Sequence, residues 1–161
     1  MSKVTLEERI GKALLERGWS LALAESCTGG LLGYRITSVA GSSRYFRGGI
    51  VAYENSAKAR LLSVSRTTLH RHGAVSAEVA LEMARGARRL FAATAAVSVT
   101  GIAGPGGGTP DKPVGLVFAA AAVGRRSRWE EGMFRGFREN IRRRSADMAL
   151  NLLLTLVEED K

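Results

Sequence analysis

A serine, a cysteine and a threonine stand side by side where an apolar run ends, in LALAESCTGG. Ser26 and Cys27 are potential nucleophiles, and each needs a neighbouring base that removes its proton. A thiol is usually paired with histidine, but the only two histidines, His70 and His72, lie in LHRHGAVS, which reads as a turn between helices. The G-x-S-x-G pattern of the hydrolase nucleophile turn is absent around Ser26.

Lysine can replace histidine as the base that activates a serine. The segment YENSAKAR supplies Tyr53 and Lys58. Tyr53 is predicted to end a strand and Lys58 to lie about one turn into the next helix, so both could reach the same edge of a sheet. Spacing alone leaves open a surface lysine and a tyrosine at the edge of the core. For Cys27, simple packing in a strand–helix connection is the commoner role.

Two segments that follow predicted strands could bind an anion. The first is ESCTGG, before a helix that Thr28 is expected to open, where the first backbone amides have no intrahelical partner and the helix dipole favours negative charge. The second is the Gly/Pro-rich loop TGIAGPGGGTPDKP, whose amides could contact a phosphate although it lacks the Walker A and G-x-G-x-x-G patterns. Taken alone, the first segment favours a merely capped helix, with Ser26 or Thr28 as the N-cap, and a Gly/Pro-rich loop is often only a turn.

The elements that must position these residues alternate between helix and apolar strand, which predicts an α/β protein with a three-layer α/β/α sandwich and a mixed, mostly parallel sheet. Ligands of such sheets bind at the carboxyl ends of strands, where both special segments lie. The predicted strands are SLALA, GGIVAY, AAVSVT, VGLVFAAAAVG and SRWEEGMFRG, the last two being neighbours. The predicted helices are TLEERIGKALLERG, TGGLLGYRITSVA, NSAKARLLSV, SAEVALEMARGARRLFAA and ENIRRRSADMALNLLLTLVEED.

Length and composition predict one globular domain over residues 1–161, with 45% hydrophobic residues. No apolar run approaches the roughly 20 residues of a membrane span, no signal-peptide core is present, and a single cysteine suits a reducing compartment. We therefore expect a cytoplasmic protein without a membrane partner. No cluster of His, Cys, Asp or Glu has metal-ligand spacing, so no metal is expected.

The formal net charge is +9, and much of the excess lies in GRRSR and FRENIRRRSAD. Such an excess fits a solvated basic face, an anionic ligand or a nucleic-acid partner. Aromatic residues make up only 6% of the chain, which argues against a stacking platform for single strands. We therefore expect no specific nucleic-acid partner.

Three long segments of this chain resemble the CinA C-terminal domain family, whose enzymatic members are nicotinamide-nucleotide amidohydrolases. The segments cover nearly the whole chain, in order: LALAESCTGGLLGYRITSVAGSSRYFRGGIVAYENSAKARLLSV, LHRHGAVSAEVALEMARGAR and SVTGIAGPGGGTPDKPVGLV. The resemblance implies the three-layer fold and hydrolysis of the carboxamide of nicotinamide mononucleotide to nicotinate mononucleotide and ammonia, a reaction of pyridine-nucleotide salvage. Longer relatives carry an N-terminal domain, and its pyrophosphatase activity is not transferred to this chain.

The resemblance also implies a role for individual residues. Ser26 would be the nucleophile, Lys58 the general base and Tyr53 an assisting group, with Cys27 a bystander. Arginines of the last helix would pair with the substrate phosphate, because guanidinium matches phosphate geometry. The implied substrate-binding residues are Thr28, Gly29, Gly30, Ser43, Thr100, Gly101, Ala103, Gly104, Arg138 and Arg142.

The implied partners are a phosphorylated nucleotide substrate and further copies of the chain, in a dimer or a larger homo-oligomer, and no cofactor is implied. Two alternatives stay open: a nucleotide-binding module without chemistry, and a competence-related protein associated with nucleic acid. For the enzymatic reading Lys58 must be neutral, whereas a free lysine has a pKa near 10.4. We expect partial burial and nearby arginines to lower the pKa of Lys58.

Overall fold

The computed structural model describes residues 2–159, which form six helices, five strands and one short 3-10 turn. The order along the chain agrees with the predicted alternation. The elements are α1 (Leu6–Arg17), β1 (Leu21–Glu25), α2 (Leu31–Thr37), the 3-10 turn (Ser42–Arg44), β2 (Phe46–Val51), α3 (Asn55–Leu62), α4 (Arg66–His72), α5 (Ala77–Leu90), β3 (Ala95–Gly101), β4 (Leu116–Val123), β5 (Arg126–Met133) and α6 (Arg138–Glu158).

The five strands form one mixed sheet in the order β2-β1-β3-β4-β5. Strands β2, β1 and β3 are parallel, and only β4 runs against its neighbours, so four of the five strands point the same way. Glu25 at the end of β1 lies level with Val51 of β2 and Val99 of β3. Three carboxyl ends therefore meet at one edge of the sheet, and the predicted mixed, mostly parallel sheet is confirmed.

Helices cover both faces of this sheet, which confirms the three-layer sandwich. Successive side chains of a strand point to opposite faces, so Leu21 and Leu23 of β1 pack into the core beneath α1, α2 and α6. Ala22 and Ala24 of the same strand pack against α5 on the other face, with Met83. Burial on both sides explains why the central strands β1 and β3 are continuous apolar runs instead of alternating ones.

The approach of α3 to α5 is unusually close. A Cβ added at Gly86 of α5 would lie 1.9 Å from the backbone oxygen of Leu62, the last residue of α3. Only a residue without a side chain fits there. The absence of a side chain at Gly86 thereby permits the close contact between α3 and α5.

Two local expectations are wrong. Thr28 does not open α2, because the helix begins at Leu31 and Gly30, with a φ of +106°, precedes it. The segment around His70 and His72 is not a turn, since α4 runs through His72 and ends at Gly73. Its last turn is basic, which suits the negative end of a helix dipole.

No helix within residues 2–159 is both long and apolar enough to cross a membrane.

Candidate active site

A cleft of about 200 Å³ opens at the edge of the sheet where β1, β2 and β3 end. Its walls come from the segments that follow these strands, from α3, from the connection between α4 and α5, and from the first residue of α6. The lining residues are Ser26, Cys27, Tyr53, Asn55, Lys58, Ala74, Val75, Thr100, Gly101, Ala103 and Arg138.

Ser26 and Lys58 form a hydrogen-bonded pair at the floor of this cleft. The Lys58 side chain is 1% exposed, and its Nζ lies 3.0 Å from Ser26 Oγ, 2.9 Å from the Ala52 carbonyl oxygen and 3.0 Å from that of Tyr53. A neutral amine has two N–H donors and one lone pair. With the two carbonyls accepting the donors, the lone pair is left for the Ser26 hydroxyl, which is the arrangement a general base requires.

Burial lowers the pKa of Lys58 from its ordinary value, with a smaller opposing effect from the neighbouring Cys27 thiol. Desolvation disfavours the charged form of a lysine, and within residues 2–159 no carboxylate forms an ion pair with Lys58. The expected contribution of arginines is wrong, because burial and Cys27 are the only causes of this shift.

Cys27 is 5% exposed, and its burial raises the pKa of the thiol to about 11. The thiolate is the nucleophilic form of cysteine, so this side chain stays protonated and unreactive near neutral pH. Its surroundings therefore favour the bystander role implied by the resemblance.

The turn that carries Ser26 is bound to the carboxylate of Glu25, which is itself buried. The hydroxyl of Thr28 donates to Glu25 Oε1 at 2.7 Å, and the amides of Gly30, Leu32 and Gly33 donate to the two carboxylate oxygens at 3.2, 2.8 and 3.1 Å. These first amides of α2 are therefore bound by a carboxylate of the protein itself, as in a capped helix, although the cap is Glu25 instead of Ser26 or Thr28. Contacts of Thr28, Gly29 and Gly30 with a substrate stay predictions.

Arg142 of α6 holds the same turn from another side. Its Nε donates to the Cys27 carbonyl at 3.1 Å and its Nη2 to the Thr28 carbonyl at 2.8 Å. Two of its donors thus bind the protein itself. Pairing of Arg142 with a phosphate stays a prediction.

The mouth of the cleft is built by Tyr53 and Arg138. Tyr53 is 62% exposed, and its hydroxyl accepts a hydrogen bond from Arg138 Nη2 at 3.0 Å, while Nη1 of the same arginine donates to the Gly104 carbonyl at 2.6 Å. Within residues 2–159 the Tyr53 hydroxyl is bonded to Arg138 and to neither Ser26 nor Lys58. The structure therefore places Tyr53 with the groups at the entrance.

The Gly/Pro-rich loop after β3 contributes the opposite wall. Thr100 is buried and donates its hydroxyl to the Ala74 carbonyl at 2.8 Å, while Gly101 and Ala103 line the cleft. Three of the predicted loop residues thus line this cleft, and the fourth, Gly104, accepts a hydrogen bond from Arg138. The structure thus brings this loop, Tyr53, Arg138 and the Ser26–Lys58 pair together.

Ser43 is not brought to this cleft. It lies in the 3-10 turn before β2 and lines a separate polar cleft with Arg44 and Thr94. The reason is topological, because a residue that precedes a parallel strand lies at the opposite edge of the sheet from one that follows it. Binding of substrate by Ser43 stays a prediction.

Sequence reasoning missed Glu25, Asn55, Ala74 and Val75. A signal existed for Glu25, because a charged residue that ends an apolar strand must find buried partners. Ala74 and Val75 carry no local signal, since only the packing of the α4–α5 connection brings them to the cleft.

Within the described residues, no group of three or more His, Cys, Asp or Glu side chains could hold a metal ion.

The fold and site define an α/β/α-sandwich protein with a buried serine–lysine pair at the carboxyl edge of its sheet. Residues 3–157 match the CinA C-terminal domain, and the chain belongs to this family. A CinA-like protein of Syntrophobacter fumaroxidans is 50% identical over 155 residues, which make up 96% of this chain and 37% of that relative. A CinA-like protein of Desulfotalea psychrophila is 46% identical over 97% of this chain and 38% of its own length. The chain therefore spans less than two fifths of these curated relatives.

Solved structures agree with this membership over the whole fold. The competence/damage inducible protein CihA from Agrobacterium tumefaciens is 41% identical with a TM-score of 0.91, and the match covers 97% of this chain and 99% of that one. The competence damage-inducible protein A (ComA) from Klebsiella pneumoniae is 33% identical with a TM-score of 0.93, covering 97% of both chains.

Proposed function

We propose that this protein is an amidohydrolase that converts nicotinamide mononucleotide and water into nicotinate mononucleotide and ammonia. The observation that carries the proposal is the 3.0 Å contact between Lys58 Nζ and Ser26 Oγ, in a buried setting that lowers the pKa of the lysine. The substrate follows from the family resemblance, and the chemistry follows from the pair.

In the first half of the reaction, Ser26 Oγ attacks the carboxamide carbon while Lys58 Nζ accepts the hydroxyl proton. The negative charge develops on the carboxamide oxygen, which needs preorganised donors. Within residues 2–159 the amides of Cys27 and Thr28 have no backbone acceptor, so they are our candidates for that role. The Lys58 ammonium then returns its proton to the leaving nitrogen, the C–N bond breaks and ammonia departs.

In the second half, the acyl group is an ester of Ser26 and Lys58 is neutral again. Lys58 takes a proton from a water molecule as the water oxygen attacks the ester carbon. Breakage of the ester bond returns the proton from Lys58 to Ser26 Oγ and releases the carboxylic acid, which ionises to the carboxylate in solution. No metal or cofactor is required in this scheme.

The entrance supplies groups for an anionic nucleotide. Arg138 presents a planar guanidinium beside the loop of Thr100, Gly101 and Ala103, and guanidinium binds phosphate in a bidentate manner. We assign the substrate phosphate to Arg138 and the ribose to the loop. When substrate binds, Arg138 would release the Tyr53 hydroxyl and donate a hydrogen bond to the phosphate instead.

Ammonia release from nicotinamide mononucleotide by the purified protein, in the presence of a chelator, tests the proposal. We expect release by the wild type and its loss in Ser26→Ala, by as much as about 10⁶-fold as for removal of the serine nucleophile of a protease. Ser145→Ala is the matched control, because Ser145 is also buried but donates to the Ile141 carbonyl within α6. Nicotinamide riboside, which lacks the phosphate, should be a much poorer substrate.

Two results would contradict the proposal. Tight binding of the nucleotide without ammonia release would favour the nucleotide-binding module. Loss of activity on chelation, restored by a divalent ion, would rule out the metal-free scheme.

A further inference from the structure

Glu25 is a buried carboxylate one residue before the proposed nucleophile, and the proposed reaction does not use it. Its side chain is 3% exposed. The four donors bound to its oxygens come from the turn and from α2, and none of them is Lys58. This carboxylate satisfies amides at the positive end of α2, and it does so one residue before Ser26.

The backbone of Glu25 is fixed as firmly as its side chain. Its carbonyl accepts from the Ala52 amide at 2.8 Å, and the next amide, that of Ser26, donates to the Val99 carbonyl at 3.0 Å. Ala52 in turn offers its carbonyl to Lys58 Nζ. Glu25 therefore connects the Ser26 turn with the carbonyl that orients Lys58.

We propose that Glu25 is the positioning residue of the Ser26–Lys58 pair: its carboxylate binds Thr28 and the first amides of α2, and so holds Ser26 Oγ at the lone pair of Lys58. This inference extends the proposed function. Only its turnover measurement, ammonia release, depends on that function being correct.

Within residues 2–159 the Glu25 carboxylate and the base have separate hydrogen-bond partners. A carboxylate beside a lysine favours the ammonium form, which would disable Lys58. Burial and Cys27 are the causes of the Lys58 pKa shift, and Glu25 is not among them. The donors from Thr28 and α2 satisfy the Glu25 carboxylate, so it needs no ion pair with Lys58. Lys58 can therefore lose its proton.

The test compares Glu25→Gln and Glu25→Asp with Glu8→Gln as a matched control. Glu8 also binds a backbone amide at a helix start, but its bonds stay between residues 5 and 8. Glutamine keeps the size of Glu25 but points an NH2 group at donors, and aspartate is one methylene too short. Two rates are measured for each variant: labelling of Ser26 by a fluorophosphonate, followed by mass spectrometry, and ammonia release.

We expect Glu25→Gln to lose about 10²-fold in labelling rate and in kcat, as for a small displacement of a reacting group, with little change in KM. Glu25→Asp should lose less, and Glu8→Gln should match the wild type. The acidic limb of the pH–rate profile should keep its position in Glu25→Gln, because the charge does not act on Lys58. If Glu25→Gln does not fold, Thr28→Val removes one of the four donors and should lower both rates in the same direction.

Wild-type rates in Glu25→Gln would overturn the inference, and an acidic limb moved to lower pH would show that Glu25 acts on Lys58 by its charge. The failure of the proposed function gives a different result, namely a wild type that is labelled at Ser26 but releases no ammonia. In that case the labelling rates still decide the role of Glu25. A wild type that is neither labelled nor active would overturn both proposals.

Discussion

The floor and the mouth of the cleft differ in how completely the protein satisfies its own polar groups. At the floor, Lys58 is 1% exposed and its three hydrogen bonds all end on protein atoms. At the mouth, Tyr53 is 62% exposed and shares one bond with Arg138. The floor is complete before a ligand arrives, whereas the mouth can exchange its partners. Changes at the floor should therefore alter kcat, and changes at the mouth should alter KM.

The largest effect that would test this contrast comes from the base. Lys58→Met keeps most of the length of the side chain without a proton acceptor, and we expect kcat to fall by roughly 10²–10⁴-fold, as for the loss of a general base. Lys58→Arg keeps the charge but cannot deprotonate, and it should be equally inactive. Steady-state kinetics with thermal unfolding as a folding check measures this effect. Near wild-type kcat with a raised KM would make Lys58 a binding residue instead.

The next effect is that of pH. Because only neutral Lys58 can act as the base, the rate should rise about tenfold per pH unit below its pKa, which burial lowers from the ordinary value. The unfolded chain holds this proton up to a pKa near 10.4 and the folded chain releases it earlier, so the stability of the wild type should rise with pH in that window. Lys58→Met should lack this rise. A rate that is flat across the window would contradict the assignment.

A smaller effect is expected at the mouth. Arg138→Lys keeps a positive charge but loses the bidentate geometry, and we expect KM for nicotinamide mononucleotide to rise about tenfold while kcat changes little. Tyr53→Phe removes only the hydroxyl that Arg138 binds, and its effect on KM should be smaller still. Full kinetic curves for both variants check this order. A loss of kcat in Tyr53→Phe that matched the loss in Lys58→Met would move Tyr53 to the floor.

The smallest effect is expected from Cys27→Ala, which should keep most of the activity. Burial raises the pKa of this thiol to about 11, so it is neither charged nor nucleophilic at neutral pH. A thiol-blocking reagent should react slowly with the folded protein. Activity that Cys27→Ala loses and Ser26→Ala retains would reverse the proposed roles of the two residues.

The layers could be anticipated from the sequence, because apolar strands that alternate with helices set the edge at which their ends meet. The pairing of Ser26 with Lys58 came from the family resemblance, since spacing alone left a surface lysine open. The start of α2 could not be anticipated from the sequence, because Thr28 and Glu25 are both possible caps for the same backbone amides. Likewise, nothing local places Ser43 apart from Lys58. That separation depends on which edge of the sheet each loop occupies, and a parallel topology decides it.

The close approach at Gly86 also has a genetic consequence. The base of the proposed reaction is carried by a helix whose position depends on a glycine in another helix, and that glycine lies outside the cleft. Random mutagenesis selected for lost activity should therefore yield substitutions at Gly86 as well as at Ser26 and Lys58. Positions sensitive to mutation should therefore include residues that hold the walls of the cleft in place as well as residues that line it.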